Sequence, residues 1–339
     1  SAYLQDRFGT AFFLESWNMK SRELPQWSDF WQQGFITTFG PSMPDNYQGA
    51  VSDFWRAQLA SLDNGARILD IACGNGAIAM LAAGVSKEAG KDFQITACDL
   101  AEINENVTGS EELNQLRGTI KFQSKVGNEK LPFKASSFDL VVSHYGLEYG
   151  DLPHSISEVR RVLAPGGTFV ALAHHSDSPL IQAARSESKT YVSVLKDLNI
   201  LGRVRAYFGA LGNPTNQQEL QDAMIKARPL STSVNEGVAT MKKQYPNSDC
   251  VKQIQAAINH LAQGAARVDS RHRLRTLNAV AQEFDFASDR LKDMVKAGLD
   301  DASIEKLKSL AVTSAFSRVF CQPFNDENGK LLAWHIELS

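Results

Sequence analysis

The chain has 339 residues, 35 Lys and Arg against 38 Asp and Glu, and a formal net charge of −3. With 43% hydrophobic and 22% charged residues it has a globular composition, which excludes disordered, collagen-like and fibrous chains. The length suits about two domains, or one core with a large insertion, and the near-zero charge argues against nonspecific nucleic-acid binding as the main activity.

Residues 1–64 are rich in aromatics, among them Phe12, Phe13, Trp17, Trp27, Phe30, Trp31, Tyr47 and Trp55. Their helix-compatible spacing predicts an N-terminal helical segment broken at Pro41 and Pro44. The next stretch, 65–175, alternates short β-branched runs with helical ones, the mark of βαβ units and a parallel sheet. Strands are predicted at Arg67–Ile71, Gln94–Cys98, Thr119–Gln123, Phe138–Ser143 and Thr168–Ala173. Helices are predicted between them, as at Ala77–Gly84 and Ser155–Leu163, and Pro165-Gly166-Gly167 is read as the turn into the fifth strand.

Residues 176–300 carry almost no strand signal. Leu180–Phe208, Gln217–Ala227, Val251–Leu261 and Leu274–Ala297 read as amphipathic helices. This stretch has a charge balance of +4, and the remainder of the chain −7. One more helix, Ala302–Ala315, precedes a hairpin of Ser317–Phe324 and Lys330–Leu338 joined by the turn Asn325–Gly329. The division is therefore 1–64, a core of 65–175 with 301–339, and a helical insertion over 176–300.

Apolar runs such as Ala77–Val85 fall far short of the roughly 20 residues a bilayer span needs. Asp6, Arg7 and Glu15 interrupt any signal-peptide pattern. Cys73, Cys98, Cys250 and Cys321 show no CxxC or Cys/His ligand spacing, so reduced thiols, a cytoplasmic setting and no metal site are expected.

The chemistry concentrates in Ile68-Leu69-Asp70-Ile71-Ala72-Cys73-Gly74-Asn75-Gly76, a strand running into a glycine turn that opens a helix. Such a turn lets backbone N–H groups approach a ligand closely. A GxG turn alone is weak, because many nucleotide-binding folds use one, and the dinucleotide fingerprint is only half met, with Ala79 in the third position. Asp70, four residues before Gly74, would repel two phosphates but suits a cationic amino group. Asp99, at the tip of the second strand, can accept both hydroxyls of a ribose, although capping of the next helix is the plainer use of an Asp there. Together the two acids favour a nucleoside with an amino-acid tail over NAD or ATP.

At these residues the chain resembles the class I S-adenosylmethionine-dependent methyltransferases of the broad small-molecule type. Leu69-Asp70-x-x-Cys73-Gly74-x-Gly76 matches that family's first motif and Asp99 its ribose acid. Leu131-Pro132-Phe133 with Ser137-Phe138-Asp139 matches the approach to its fourth strand. Arg160 to Gly167 matches the helix and turn before its fifth, and the terminal hairpin its sixth and seventh. The resemblance covers 66–175 and 302–339 and rests on the ordered series rather than any one motif. It implies an α/β, Rossmann-like, seven-stranded and mostly parallel sheet with an antiparallel terminal hairpin, carrying the N-terminal segment and the insertion as a cap.

The resemblance implies S-adenosyl-L-methionine (SAM) as cofactor, S-adenosyl-L-homocysteine as product, and no metal. The backbone of Ala72, Cys73, Gly74 and Gly76 would hold the methionine end, Asp70 its amino group and Asp99 the ribose, with Leu100 beside it. Ser143 and His144 would lie beside the sulfonium. Two departures stand out: Ala72 where many members have glycine, and Val126-Gly127-Asn128-Glu129 where many have an aspartate near adenine. Asn128 and Glu129 are the candidates there.

Transfer of a methyl group is an in-line displacement in which the protein aligns the partners and excludes water. A base is needed only for an acceptor that must lose a proton. Two clusters fall at carboxyl ends of strands: Ser143 to Tyr149, with Glu148 and Tyr149 as acceptor contacts, and His174-His175-Ser176-Asp177, whose histidines are candidate bases. The plainer reading of the pair is that one histidine packs and the other is solvated. In the insertion, Arg267, Arg271, His272, Arg273 and Arg275 form a basic cluster. Facing the cleft they would bind a carboxylate, sulfonate or phosphate; facing solvent they are an ordinary helix end.

The expected activity is thus methyl transfer to an oxygen or sulfur of a small, anionic metabolite, with no nucleic-acid or membrane partner and the oligomeric state open. The alternatives are N-methylation or another SAM-using reaction of the same fold, a SAM-binding regulator without turnover, and, against Asp70 and the missing third glycine, an oxidoreductase.

Overall fold

The computed structural model describes residues 24–104, 106–263, 265 and 268–339. The aromatics Phe12, Phe13 and Trp17 and the basic residue Arg267 lie outside the described residues. The chain enters through α1 (Pro25–Gln32) and α2 (Gly49–Ala60), then alternates β1 (Arg67–Ile71), α3 (Ala77–Glu88), β2 (Gln94–Asp99), α4 (Glu111–Arg117), β3 (Lys121–Ser124), β4 (Phe138–His144), α5 (Leu152–Val162) and β5 (Leu163–His174). A helical stretch follows: α6 (Pro179–Val192), α7 (Ile200–Leu211), α8 (Gln217–Gln244), α9 (Asp249–Ala262) and α10 (Ser270–Ala297). Then α11 (Asp301–Thr313), β6 (Val319–Asn325) and β7 (Leu331–Leu338) close the sheet.

The seven strands lie in the order β3-β2-β1-β4-β5-β7-β6. β1 to β5 run parallel, and β7 pairs antiparallel with both β5 and β6. Central strands of such a sheet are covered on both faces, so they read as continuous apolar runs. In β1, Ile68, Leu69 and Ile71 are fully buried, and in β4 Val141 and Val142. The chain walks outward from β1 to β3 and returns at β4, which puts a topological switch point between β1 and β4. Ligands of open α/β sheets bind in the crevice at such a point, beyond the carboxyl ends of the strands.

Three local differences from the sequence reading have physical causes. Pro165-Gly166-Gly167 is no turn before β5 but a register shift within it: Phe138 pairs Leu163 and Leu140 pairs Thr168, with Gly166 at φ 77° taking up the extra length. The run Leu180–Phe208 is interrupted by a π-turn over Ser193–Asp197 and by Asn199 at φ 48°. Helix α8 continues through Pro229 to Gln244. Proline removes one intrahelical hydrogen bond, but burial of Val234, Gly237 and Met241 beyond it carries the helix on.

The helical stretch has an apolar cluster of its own, built on Tyr191, Phe208, Ile254, Leu277 and Phe284. It leaves the sheet at His175 and returns at Leu299, where the two residues form an isolated parallel bridge. No helix among the described residues is long and apolar enough to cross a membrane.

Candidate active site

The loop after β1 places Ala72, Gly74 and Gly76 at φ 51°, 52° and 89°. These left-handed residues curl the backbone under the strand tips. Asp99 holds the curl: one carboxylate oxygen accepts the Gly74 N–H and the other the Ala101 N–H, each at 2.7 Å. Asp70 accepts the Ala79 N–H at 3.0 Å, in the first turn of α3. Burial pushes the Asp70 carboxyl up to about 8 and the Asp99 carboxyl up to about 6. A cation delivered between them would reverse both shifts, since an opposite charge favours the ionised form.

The loop is braced from the N-terminal segment. Asn75, fully buried, donates to the carbonyls of Trp31 and Phe35 at 2.8 Å each. The ring of Trp31 lies so close to Gly74 that a Cβ there would stand 2.4 Å from it. Glycine at 74 is thus needed twice, for its positive φ and for the missing side chain.

Beyond β4, Gly146 packs against Ala72, where an added Cβ would lie 2.5 Å from the Ala72 methyl group. The two loops therefore meet at the switch point, and the Ala72 methyl fills part of the space between them. Asn128 donates to the Gly146 carbonyl at 3.4 Å, and Glu129 accepts the Asp151 N–H at 2.9 Å. A short turn over Leu147–Tyr149 then carries Glu148 back to the tip of β5. There Glu148 Oε1 accepts the backbone N–H of His174 at 2.7 Å and lies 2.6 Å from its Nδ1. The pair is almost completely buried, with side-chain exposures of 1% and 4%.

These parts surround one cavity of about 340 Å³. Among the expected site residues, its lining includes Asp70, Ala72, Cys73, Gly74, Asp99, Leu100, Asn128, Glu129, His144, Glu148, Tyr149 and His174. Trp27 and Trp31 from α1, Tyr47, Tyr145, Asp151, and Asp293 and Lys296 from the last turns of α10 are also part of the wall. The end of the helical stretch thus faces the same cavity as the strand tips.

Other expected residues lie elsewhere. Gly76 caps α3 behind the loop. Ser143 is fully buried and its Oγ accepts the Leu147 N–H at 2.9 Å. His175 is outside the cavity lining; its ring stacks on Trp334 at 4.4 Å and its Nδ1 accepts the Asp177 N–H at 3.1 Å. None of Arg271, Arg273 and Arg275 lines the cavity. Arg273 is buried, and its guanidinium donates to the carbonyls of Ala265, Val268, Phe208 and Gly212, so it ties α7 to the start of α10. Arg271 and Arg275 are exposed. Among the described arginines, Arg273 is thus a structural joint between two exposed neighbours, and none of the three is placed to hold an anion in this cavity.

Sequence reasoning gave no role to Tyr145, Asp293 or Lys296. Tyr145 sits at φ 54° and packs its ring on both His144 and His174, at 4.4 and 4.3 Å between centroids. Its position at the end of β4 was the available signal. The contribution of α10 depends on how the insertion returns to the sheet, and no local pattern shows that.

Residues 49–204 match the ubiE/COQ5 methyltransferase family. The human protein "Arginine-hydroxylase NDUFAF5, mitochondrial" is 32% identical over 163 residues, which is 44% of either chain. The ubiquinone/menaquinone biosynthesis C-methyltransferase UbiE of Rickettsia prowazekii is 36% identical over 119 residues, 34% of this chain and 46% of that one. Among solved structures, the [4+2]-cyclase SpnF is 26% identical, covering 36% of this chain and 43% of that one, with a TM-score of 0.30. The chain spans less than half the length of these relatives. With the sheet order and the loop at its switch point, the matched region makes the core a class I S-adenosylmethionine-dependent methyltransferase domain.

Proposed function

We propose that the cavity binds SAM and that the chain transfers its methyl group to an oxygen or sulfur of a small-molecule acceptor, leaving S-adenosyl-L-homocysteine. The observation that carries this reading is that two buried carboxylates, Asp70 fit for an ammonium and Asp99 for a ribose, and a buried Glu148–His174 pair fit for a base line the same cavity. SAM fits the donor set, because its ammonium answers Asp70, its ribose hydroxyls answer Asp99 and its carboxylate suits the backbone of the glycine loop. When bound, it supplies a methyl electrophile that brings its own positive charge.

The residues of the chain do the remaining work. Asp99 and Asp70 orient the nucleoside and the amino group. Glu148, accepting from Nδ1 of His174, keeps the proton on that nitrogen and leaves Nε2 as the lone pair that can take a proton from the acceptor. Trp27, Trp31, Tyr47 and Tyr149 enclose the site in apolar surface, which excludes water and strengthens the charge interactions inside.

The lining disfavours an anionic acceptor. Among the described lining residues Lys296 stands alone as a cation against Asp70, Asp99, Glu129, Glu148, Asp151 and Asp293. The described arginines that suggested a carboxylate, sulfonate or phosphate, Arg271, Arg273 and Arg275, are not on this cavity. A neutral, flat acceptor suits the aromatic wall, and the four free cysteines, three of them buried, suit a reducing compartment such as the cytoplasm.

A second reading is favoured by the relatives. UbiE is named a C-methyltransferase, and the base that deprotonates a phenol also activates the ring carbon beside it. NDUFAF5 is named a hydroxylase, so SAM binding and methyl transfer need separate tests. Calorimetry with SAM is expected to show binding, weakened by about 1–3 kcal/mol in Asp99→Ala through lost charged hydrogen bonds. Labelled methyl from SAM is expected in a product of a metabolite extract, with equimolar S-adenosyl-L-homocysteine. Binding without either product would leave a SAM-dependent regulator or a different reaction.

A further inference from the structure

Two histidines line the cavity, and their neighbours hold them in opposite protonation patterns. The indole of Trp55 has a donor and no acceptor, and its Nε1–H points at His144 Nδ1 at 3.3 Å. Nδ1 of His144 must therefore be the bare, accepting nitrogen. Burial depresses this imidazole to about 3, so the ring is neutral near pH 7 and its single proton sits on Nε2. The opposite holds at His174. The carboxylate of Glu148 only accepts, and one of its oxygens takes both the backbone N–H and the Nδ1–H of His174, so in the neutral ring the proton sits on Nδ1 and Nε2 is the bare nitrogen.

The two rings share a neighbour, since Tyr145 packs on each of them. Around His144, Trp55 occupies the Nδ1 side, and the rings of Tyr47 at 4.6 Å and Tyr145 pack on the imidazole. Its Nε2 is buried without a partner among the described residues, although His144 lines the cavity. A buried N–H left unpaired gives up its hydration with nothing in return. That cost makes sense where a ligand supplies the missing acceptor.

We propose that His144 is a specificity residue: its Nε2–H donates to a second oxygen on the methyl acceptor, while His174 Nε2 receives the proton of the acceptor's hydroxyl. The acceptor class is then a compound with a hydroxyl and a nearby carbonyl or ether oxygen. In the step at His174 the acceptor O–H bond breaks and its electron pair stays on oxygen. The proton passes to Nε2, giving an imidazolium paired with Glu148. Trp55 is a positioning residue, which acts by fixing the tautomer of His144. This inference rests on the proposed methyl transfer for the role of His174, but the tautomers themselves do not.

The test uses the full chain with ¹⁵N-labelled histidine. Nitrogen shifts distinguish a protonated ring nitrogen from a bare one, and the expected pattern is Nε2–H at His144 and Nδ1–H at His174. The same tautomer on both rings overturns the inference, whatever the cofactor does. Trp55→Phe is expected to turn His144 into a mixture of tautomers and leave His174 unchanged. With S-adenosyl-L-homocysteine present, 2-hydroxyacetophenone is expected to bind at least about tenfold tighter than phenol, the scale set by leaving a buried polar group unpaired. It should also shift the His144 Nε2 resonance. Equal affinities, or a His144 resonance already moved by S-adenosyl-L-homocysteine alone, overturn it and leave the functional reading standing. Absence of heat with SAM and with S-adenosyl-L-homocysteine would instead remove the functional reading.

Discussion

The indole Nε1–H of Trp27 donates to Asp293 at 3.0 Å, joining residues 266 positions apart. Gln26 donates to the same carboxylate oxygen at 2.8 Å, and Arg290 to the Gln26 carbonyl at 2.9 Å. Helix α1 and the last turns of α10 thus close over the cavity as a clasp. Asp293→Ala leaves both donors without their acceptor, a loss of about 1 kcal/mol for partly buried hydrogen bonds. The expected result is faster release of SAM in stopped-flow measurements with a small fall in Tm. Unaltered release would mean that the clasp does not gate the site. Asp293→Asn keeps an acceptor oxygen and is expected to fall between the two.

His174 and His175 are neighbours in sequence with different surroundings. His174→Ala should lower turnover at least about tenfold, the usual reach of a positioned base, without changing the Kd for SAM. Glu148→Gln keeps an acceptor and removes the charge, and should reduce turnover in the same direction. His175→Ala loses the stack on Trp334, so thermal denaturation should register it while turnover per folded molecule stays near wild type. Equal losses of turnover in His174→Ala and His175→Ala would overturn the assignment.

That contrast shows what was legible in the sequence. The glycine loop, Asp70 and Asp99 were readable because a local motif encodes them. Successive strand residues point to opposite faces, so alternation alone implied that His174 and His175 could not share one side of the sheet. Helical geometry held a similar warning for Arg271, Arg273 and Arg275. At 3.6 residues per turn the middle one projects away from the other two, and it is Arg273 that is buried while its neighbours are exposed. What no local pattern contained was the pairing of partners far apart in the chain, such as Trp55 with His144 or Trp27 with Asp293. Those contacts are fixed by how the helical stretch and the N-terminal segment pack on the finished sheet.

Gly74 gives a sharper test of the loop. Alanine at this position would carry a side chain at φ 52° and drive its Cβ into the Trp31 ring. Positive φ alone costs about 1 kcal/mol outside glycine, and displacement of Trp31 would add to it. Gly74→Ala is therefore expected to weaken SAM binding more than about tenfold and to alter tryptophan fluorescence as α1 moves. Gly90, also at positive φ but with open space around its Cβ position, serves as the control: Gly90→Ala should cost stability without affecting SAM.

The acid pair predicts a pH dependence whose sign differs between stability and binding. Burial holds the Asp70 carboxyl at about 8 and that of Asp99 at about 6 in the absence of a cation. An unfolded aspartate titrates near about 4, so in between the folded protein holds protons that the unfolded chain has released. Stability from these groups is then fully present below about pH 4 and is lost as pH rises through the two folded values. Binding runs the other way, because a cation at the site favours the ionised carboxylates and expels their protons. Between about pH 5 and about pH 7, where the amino group of SAM stays charged, affinity for SAM should climb as the Tm of the free protein falls. Calorimetry in buffers of different ionisation enthalpy should register proton release on binding. Affinity flat across that range, with no proton released, would mean that neither carboxylate meets the charge of the cofactor.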